Sequence, residues 1–169
     1  DGKTANIITD ELFFTPIDVS ENGVTMHLPI ANGSIDIIYS LKPNSYVLDM
    51  DVKANNLDGF FPSNTKSMQI EWTEDMKQQE KGYDFETRYA TITYRDINNE
   101  TYELSSTGSD SEEDEFEEKT EWIAYKTQFF SQVLIADSPV SINNMSSSQL
   151  EKGSGYLKTY KTNFVADFD

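Results

Sequence analysis

Apolar and polar residues alternate along much of the chain, in short stretches separated by turn-forming residues. Ile35, Ile37 and Tyr39 fall on one side of an extended chain, while the residues between them fall on the other. Two Asn-Gly pairs bracket residues Val24–Ile30, and Asn-Gly supplies the positive φ angles that tight hairpin turns need. The first part of the chain therefore predicts a meander of antiparallel strands.

The same period of two recurs in later stretches, which are residues 46–54, 67–73, 87–96 and 156–169. Residues 74–86 are rich in good helix formers and predict a short helix that ends at Gly82. Residues 146–155, rich in serine and glycine, are predicted to be a flexible connection. Turn signals at such intervals are typical of a sandwich, so the pattern predicts an all-β sandwich with one or two short helices.

Residues Thr120–Asp137 form the densest apolar and aromatic run of the chain. A membrane-spanning helix needs roughly 20 nearly uninterrupted apolar residues, whereas polar residues divide this run into short pieces. Helical spacing fits in part, and its stripe would consist of Trp122, Tyr125, Phe129 and Val133. The β-branched and aromatic content and the strand-rich neighbourhood favour extended structure, bounded by Ser138-Pro139 and buried as core.

Length and charge limit the classes of partner. The 169 residues, 37% of them hydrophobic, are enough for one domain or part-domain over residues 1–169. The formal net charge of −17 repels a phosphate backbone, so no nucleic-acid partner is expected. Seven acidic residues lie within the nine positions from Asp110 to Glu118. Because such a run repels itself, residues 108–119 are predicted to be an acidic, flexible loop.

Candidate chemical sites are few. The chain has no cysteine and a single histidine, His27, which rules out a usual zinc site and a Cys-His pair and favours a structural role for this side chain. Asp49 and Asp51 suggest the start of a calcium-binding loop, but Lys53 stands where an oxygen ligand should be. No catalytic residue, cofactor or metal site is predicted, and the chain is interpreted as a non-enzyme.

Several long blocks resemble a known family. EWIAYKTQFFSQVLIAD, followed by GSGYLKTY, is similar to the segment near the end of the large periplasmic domain of YidC-type membrane protein insertases, in the form found in Bacteroidetes-like bacteria. Two earlier stretches agree, YSLKPNSYVLDMDVKANNL and QQEKGYDFETRYATITYRD. The resemblance covers most of the chain from Ile35 onward, and its blocks are long and rich in aromatic residues.

The resemblance implies a periplasmic β-supersandwich similar to galactose mutarotase-like folds, of which this chain would be the later portion. It implies a place at the periplasmic face of the bacterial inner membrane, with membrane anchors outside residues 1–169. The chain starts at Asp1 without a methionine and is expected to be an excised or processed fragment. No catalytic residue of the family is placed in these strands. The acidic run before Glu121 departs from the family pattern.

From the resemblance we expect the periplasmic part of an insertase and chaperone for membrane proteins, acting as an accessory docking or spacing module. The expected partners are the membrane core of the same polypeptide, translocon components and nascent membrane proteins. The candidate packing and interaction block, which would couple the sandwich to the rest of its domain, consists of Trp122, Tyr125, Phe129 and Phe130. Two alternatives stay open, namely a carbohydrate-binding or vestigial mutarotase-like module and a secreted adhesin-like sandwich.

Overall fold

Two compact units make up the chain, Asp1–Thr65 and Lys66–Asp169. The computed structural model describes residues 8–57, 59–61, 65–104, 111–113 and 116–167. Strands account for 62% of the structure and helices for 7%, which confirms the all-β prediction. Within the described ranges, no helix has the length and apolar character needed to cross a membrane.

The first unit contains a four-stranded antiparallel sheet whose strands follow the order of the chain. They are β1 (Thr15–Ser20), β2 (Gly23–Ile30), β3 (Gly33–Leu41) and β4 (Leu48–Asn55), preceded by a 3-10 helix at Thr9–Glu11. Both hairpins predicted from the Asn-Gly pairs are confirmed. At the second turn, however, the positive φ angle belongs to Ala31, at 51°, rather than to the Asn-Gly pair.

Strand pairing gives the first sheet an apolar and a polar face. One row of the apolar face consists of Val24, Tyr39 and Met50, and the next of Met26, Ile37 and Val52. A row of the polar face consists of His27, Asp36 and Lys53. The predicted alternation along β3 is therefore confirmed, because successive side chains point to opposite faces of a strand.

The second unit contains a seven-stranded antiparallel sheet and one short helix. Its elements are β5 (Ser67–Lys77), α1 (Tyr83–Tyr89), β6 (Thr91–Asp96), β7 (Thr101–Glu103), β8 (Ser111–Glu113), β9 (Thr120–Lys126), β10 (Ser131–Gln149) and β11 (Tyr156–Asp167). The strand order is β5-β11-β10-β9-β6-β7, and β8 pairs with β10 outside this path. Several of these pairings join strands that are far apart in sequence.

The long strand β10 links two layers of this sheet. Its first part pairs with β9, and its later part pairs with β11, with a register shift between Ile135 and Val140. In a flat sheet, β5 and β9 would lie about 14 Å apart, since neighbouring strands are about 4.8 Å apart. The rings of Trp72 on β5 and Tyr125 on β9 nevertheless stack with centroids 3.8 Å apart. The sheet therefore folds over itself, and the predicted sandwich is confirmed in this unit.

The core of the second unit lies between these two layers. Its largest fully buried apolar side chains are Tyr125, Tyr160, Phe164, Ile92, Ile123, Met145 and Leu157. They come from β6, β9, β10 and β11, so all four strands contribute to one cluster. Burial of apolar surface of this extent is the main force that holds the layers together.

The position predicted for the helix is wrong. Residues 74–77 belong to β5, and the helix begins after Gly82 instead of ending there. Glu74 and Lys77 pair with Tyr160 and Tyr156 of β11, and these long-range contacts override the local preference for helix. The buried carboxylate of Glu86 also accepts hydrogen bonds from the backbone N–H groups of residues 79 and 80, which fixes the loop before the helix.

Two predicted connections also differ from the structure. β10 continues to Gln149, so the flexible connection predicted for residues 146–155 is wrong over its first four residues. These residues pair with β11, and Ser146–Ser148 also pair with β8 on the other side. The predicted boundary at Ser138-Pro139 is wrong as well, because β10 runs through it at the register shift, where proline is tolerated.

The predicted acidic loop 108–119 falls partly outside the described residues. Within it, Ser111–Glu113 forms the short strand β8 against β10. The flexibility of the rest of this loop stays a prediction.

Candidate functional site

Residues Thr120–Asp137 form a β-hairpin, which confirms the prediction of extended structure. At its tip, the N–H of Thr127 donates to the carbonyl oxygen of Phe130 at 2.8 Å. The Oγ1 of Thr127 accepts hydrogen bonds from the N–H groups of Phe129, at 3.3 Å, and Phe130, at 3.1 Å. A threonine side chain that satisfies backbone donors in this way stabilises a tight turn. The turn places two consecutive phenylalanines at the tip of the hairpin.

The four residues of the predicted block have different environments. Tyr125 is fully buried and Trp122 is half-buried, whereas Phe129 is 43% exposed and Phe130 is 63% exposed. Trp122 and Tyr125 are three positions apart on β9, so their side chains point to opposite faces. The prediction that this run is buried as core is therefore confirmed for Tyr125 and wrong for Phe129 and Phe130, which form an exposed pair at the hairpin tip, while Trp122 is half-buried.

Tyr125 is held by aromatic and hydrogen-bond contacts across the sandwich. Its ring stacks on Trp72 at 3.8 Å and meets Tyr160 edge to face at 5.1 Å. Its hydroxyl donates to the carbonyl oxygen of Trp72 at 2.9 Å and is hydrogen-bonded with Thr162 Oγ1 at 2.8 Å. Burial raises the pKa of both tyrosines well above the ordinary value. Burial of both rings in the core suits a structural role for these tyrosines.

Two exposed residues that do not belong to the predicted block extend the apolar surface. Val133 is 51% exposed and Ile135 is 67% exposed on the first part of β10. Together with Phe129 and Phe130, they give the hairpin an exposed apolar surface. The intervening residue, Leu134, packs against the core. Because residues 133–136 are all apolar, the sequence carries no signal that distinguishes the exposed side chains from the packed one.

The single histidine belongs to a cluster of hydrogen bonds on the first sheet. Nδ1 of His27 lies 2.6 Å from Oδ1 of Asp36, and Asn55 Nδ2 donates to Oδ2 of Asp36 at 2.7 Å. These residues join β2, β3 and β4, so the cluster has a structural explanation. In the part of the chain that the structure describes, no group of three or more histidine, aspartate or glutamate side chains is arranged to hold a metal ion.

The exposed phenylalanines are expected to contribute little to folding. Phe129→Ala or Phe130→Ala should change the free energy of unfolding by under about 1 kcal/mol, the usual range for surface substitutions. Urea denaturation of each variant beside the parent protein measures the change. A loss as large as about 3 kcal/mol would show instead that the ring packs in a core.

Comparisons with known proteins identify the family. A family model described as the YidC periplasmic domain matches residues 15–167. The membrane protein insertase YidC of Phocaeicola vulgatus is 36% identical and aligns with 100% of this chain and 27% of its own length. YidC of Bacteroides fragilis is 34% identical, over 99% of this chain and 27% of that protein. YidC of Porphyromonas gingivalis is 33% identical, over 89% and 24%.

The chain thus spans about a quarter of the length of the curated relatives it matches. No solved structure matches the chain. The likeness to galactose mutarotase-like folds therefore stays a prediction.

Proposed function

This chain belongs to the YidC periplasmic domain family, and from that membership we propose that it is the periplasmic part of a membrane protein insertase and chaperone. The match over residues 15–167 is the observation that carries this proposal. The protein would lie at the periplasmic face of the bacterial inner membrane, with its membrane anchors outside these residues. It would aid the insertion and folding of membrane proteins without a catalytic step of its own.

The role proposed for this part is accessory, as a docking or spacing module. The exposed phenylalanine pair supports docking, because aromatic residues, phenylalanine included, are enriched at the cores of protein interfaces. Thr127 holds the turn that presents both rings, so the pair is fixed in position before a partner arrives. The partners proposed are the membrane core of the same polypeptide, translocon components and nascent membrane proteins.

Deletion tests the accessory role in the full-length protein. Removing residues 15–167 is expected to reduce the insertion of a simple membrane substrate modestly, because docking improves encounter without performing insertion. The measurement is the inserted fraction of that substrate in cells or proteoliposomes. Complete loss of insertion, with the shortened protein folded and present in the membrane, would contradict an accessory role.

Point substitutions separate docking from spacing. If the hairpin tip docks, Phe129→Ser with Phe130→Ser should reproduce part of the reduction caused by the deletion. Tyr46→Ser is the control, since Tyr46 is an even more exposed aromatic residue and lies in the first unit. If the two changes reduced insertion equally, the hairpin tip would have no docking role and only the spacing role would remain.

A further inference from the structure

The first part of β10 is a sheet edge. β10 pairs with β9 between Ser131 and Val140, and it pairs with β11 only from Ser141 onward. Across the ranges that the structure describes, no strand pairs with the other side of β10 before Ser141. β10 is therefore an edge strand over its first part, and it pairs with β11 over its later part.

Three residues of this edge direct their backbone groups outward. Thr127 and Phe130 form a hydrogen-bonded pair at the hairpin tip. In an antiparallel ladder, hydrogen-bonded and non-bonded pairs alternate, so the residues opposite Lys126, Ala124 and Trp122 are in non-bonded pairs. These residues are Ser131, Val133 and Ile135. Their N–H and C=O groups point away from β9, toward the open side.

The side chains along this edge are apolar or neutral. Residues 127–136 contain no charged residue, although the chain as a whole has a net charge of −17. Val133 and Ile135 share one face of the strand and are both more than half exposed. A second strand placed along this edge would bring its own side chains within contact distance of these two residues.

The outermost strands of the two sheets in the described residues, β1, β4, β5 and β7, have features that discourage strand pairing. Charged side chains, proline, bulges and short length are the usual protections of an edge. The protecting residues are Pro16 and Asp18 in β1, Asp49, Asp51 and Lys53 in β4, Glu71, Glu74 and Asp75 in β5, and Glu103 in β7. β1 also has a register shift, and β7 and β8 have three residues each. Residues 131–135 contain no charged residue and no proline, and the register shift of β10 comes only after Ile135.

We propose that the open edge of β10 at residues 131–136 binds an extended segment of a partner protein by strand addition. The segment would be apolar at alternate positions and basic at its flanks. Backbone hydrogen bonds to Ser131, Val133 and Ile135 supply the pairing, and the exposed side chains of the last two select apolar residues. The inference goes beyond the proposed function, because it concerns a mode of binding that is independent of insertion.

Charge decides between this partner and a second copy of the chain. Two copies would each bring a net charge of −17, and their mutual repulsion opposes pairing of identical edges. The same field attracts a segment with basic flanks. A neutral edge within a strongly acidic chain therefore favours an apolar segment with lysine or arginine at its ends.

A synthetic peptide tests the proposal with purified protein. The probe is a short fluorescent peptide of alternating valine and threonine with lysines at both ends, and the measurement is its anisotropy during titration. Saturable binding to the parent is expected. Val133→Lys with Ile135→Lys should weaken it at least about tenfold, as an edge lysine blocks strand addition. The matched control is Val52→Lys on the edge strand β4, which should leave binding unchanged.

A proline variant distinguishes strand addition from simple apolar contact. Ser131→Pro removes one outward N–H at the first residue of a strand, where proline is tolerated, and leaves every apolar side chain in place. It should weaken peptide binding about tenfold or more, since the addition begins at this residue. Circular dichroism and the unfolding midpoint of each variant should match those of the parent.

Three results would overturn the proposal. The first is unchanged binding by a folded Ser131→Pro variant, which would show that the peptide contacts side chains only. The second is equal affinity for a peptide whose lysines are replaced by glutamates. The third is concentration-dependent self-association that Val133→Lys abolishes, which would make a second copy the occupant. None of these depends on the insertion assay, so this inference and the proposed function fail separately.

Discussion

Replacement of Tyr125 with alanine is expected to lower the free energy of unfolding of the second unit by about 3–5 kcal/mol, the usual cost of removing a buried aromatic ring. The ring fills the space between the layers of the sandwich, where it contacts Trp72 and Tyr160. Its truncation would leave a cavity lined by both layers. Urea denaturation followed by tryptophan fluorescence measures the change, since one of the two tryptophans lies against the substituted ring.

Tyr125→Phe is the control that separates the ring from its hydroxyl. The ring contacts remain, while the hydrogen bonds to the Trp72 carbonyl oxygen and to Thr162 are lost. A loss of about 1–2 kcal/mol is expected, because the carbonyl oxygen is left without this donor. If alanine cost no more than phenylalanine, the ring would not be packed between two layers, and the sandwich arrangement of this unit would be contradicted.

Local pattern was enough to predict strands β2, β3 and β4 of the first sheet and the extended structure of residues 120–137. The two faces of β3 are set by side chains two residues apart, and their apolar or polar character can be read from the sequence. The helix was misplaced because residues 74–77 have helical preference, while the strand that captures them, β11, lies about 80 residues further on. No window of neighbouring residues contains that partner.

The candidate interaction block shows the same limit. Trp122, Tyr125, Phe129 and Phe130 are similar as aromatic residues, yet one is fully buried and two are exposed. Apolar character predicts that most such residues in a run are buried, but it does not identify those that the turn at Thr127 carries to the tip. The open edge of β10 likewise could not be predicted from the sequence, because it depends on which residues of β10 pair with β11.

The two Asn-Gly pairs differ in a way that the sequence does not reveal. A Cβ atom added to Gly33 would lie 2.0 Å from the carbonyl oxygen of Asn55, whereas one added to Gly23 would lie 2.9 Å from the carbonyl oxygen of Tyr39. Neither glycine is needed for a positive φ angle. Glycine is therefore required at position 33 for a steric reason, because the backbone at the end of β4 leaves no room for a Cβ atom.

Gly33→Ala is expected to destabilise the first sheet by about 3 kcal/mol or more, at the upper end of the cost of overpacking. The obstacle is backbone, so relief requires β4 to move away from β3 and to lose pairing at its end. Hydrogen exchange of the β4 amides measures this locally, and those amides should exchange faster than in the parent.

Gly23→Ala is the matched control, because it makes the same change in the same sheet beside the same neighbour in sequence. Its closest contact needs a much smaller shift, so its effect should be clearly smaller, at about 1 kcal/mol. Amides of the second unit should keep their exchange rates in both variants, since the clash involves only residues of the first unit. Equal or reversed effects of the two substitutions would show that β4 does not approach β3 closely at Gly33, and the register of that strand pair would have to be revised.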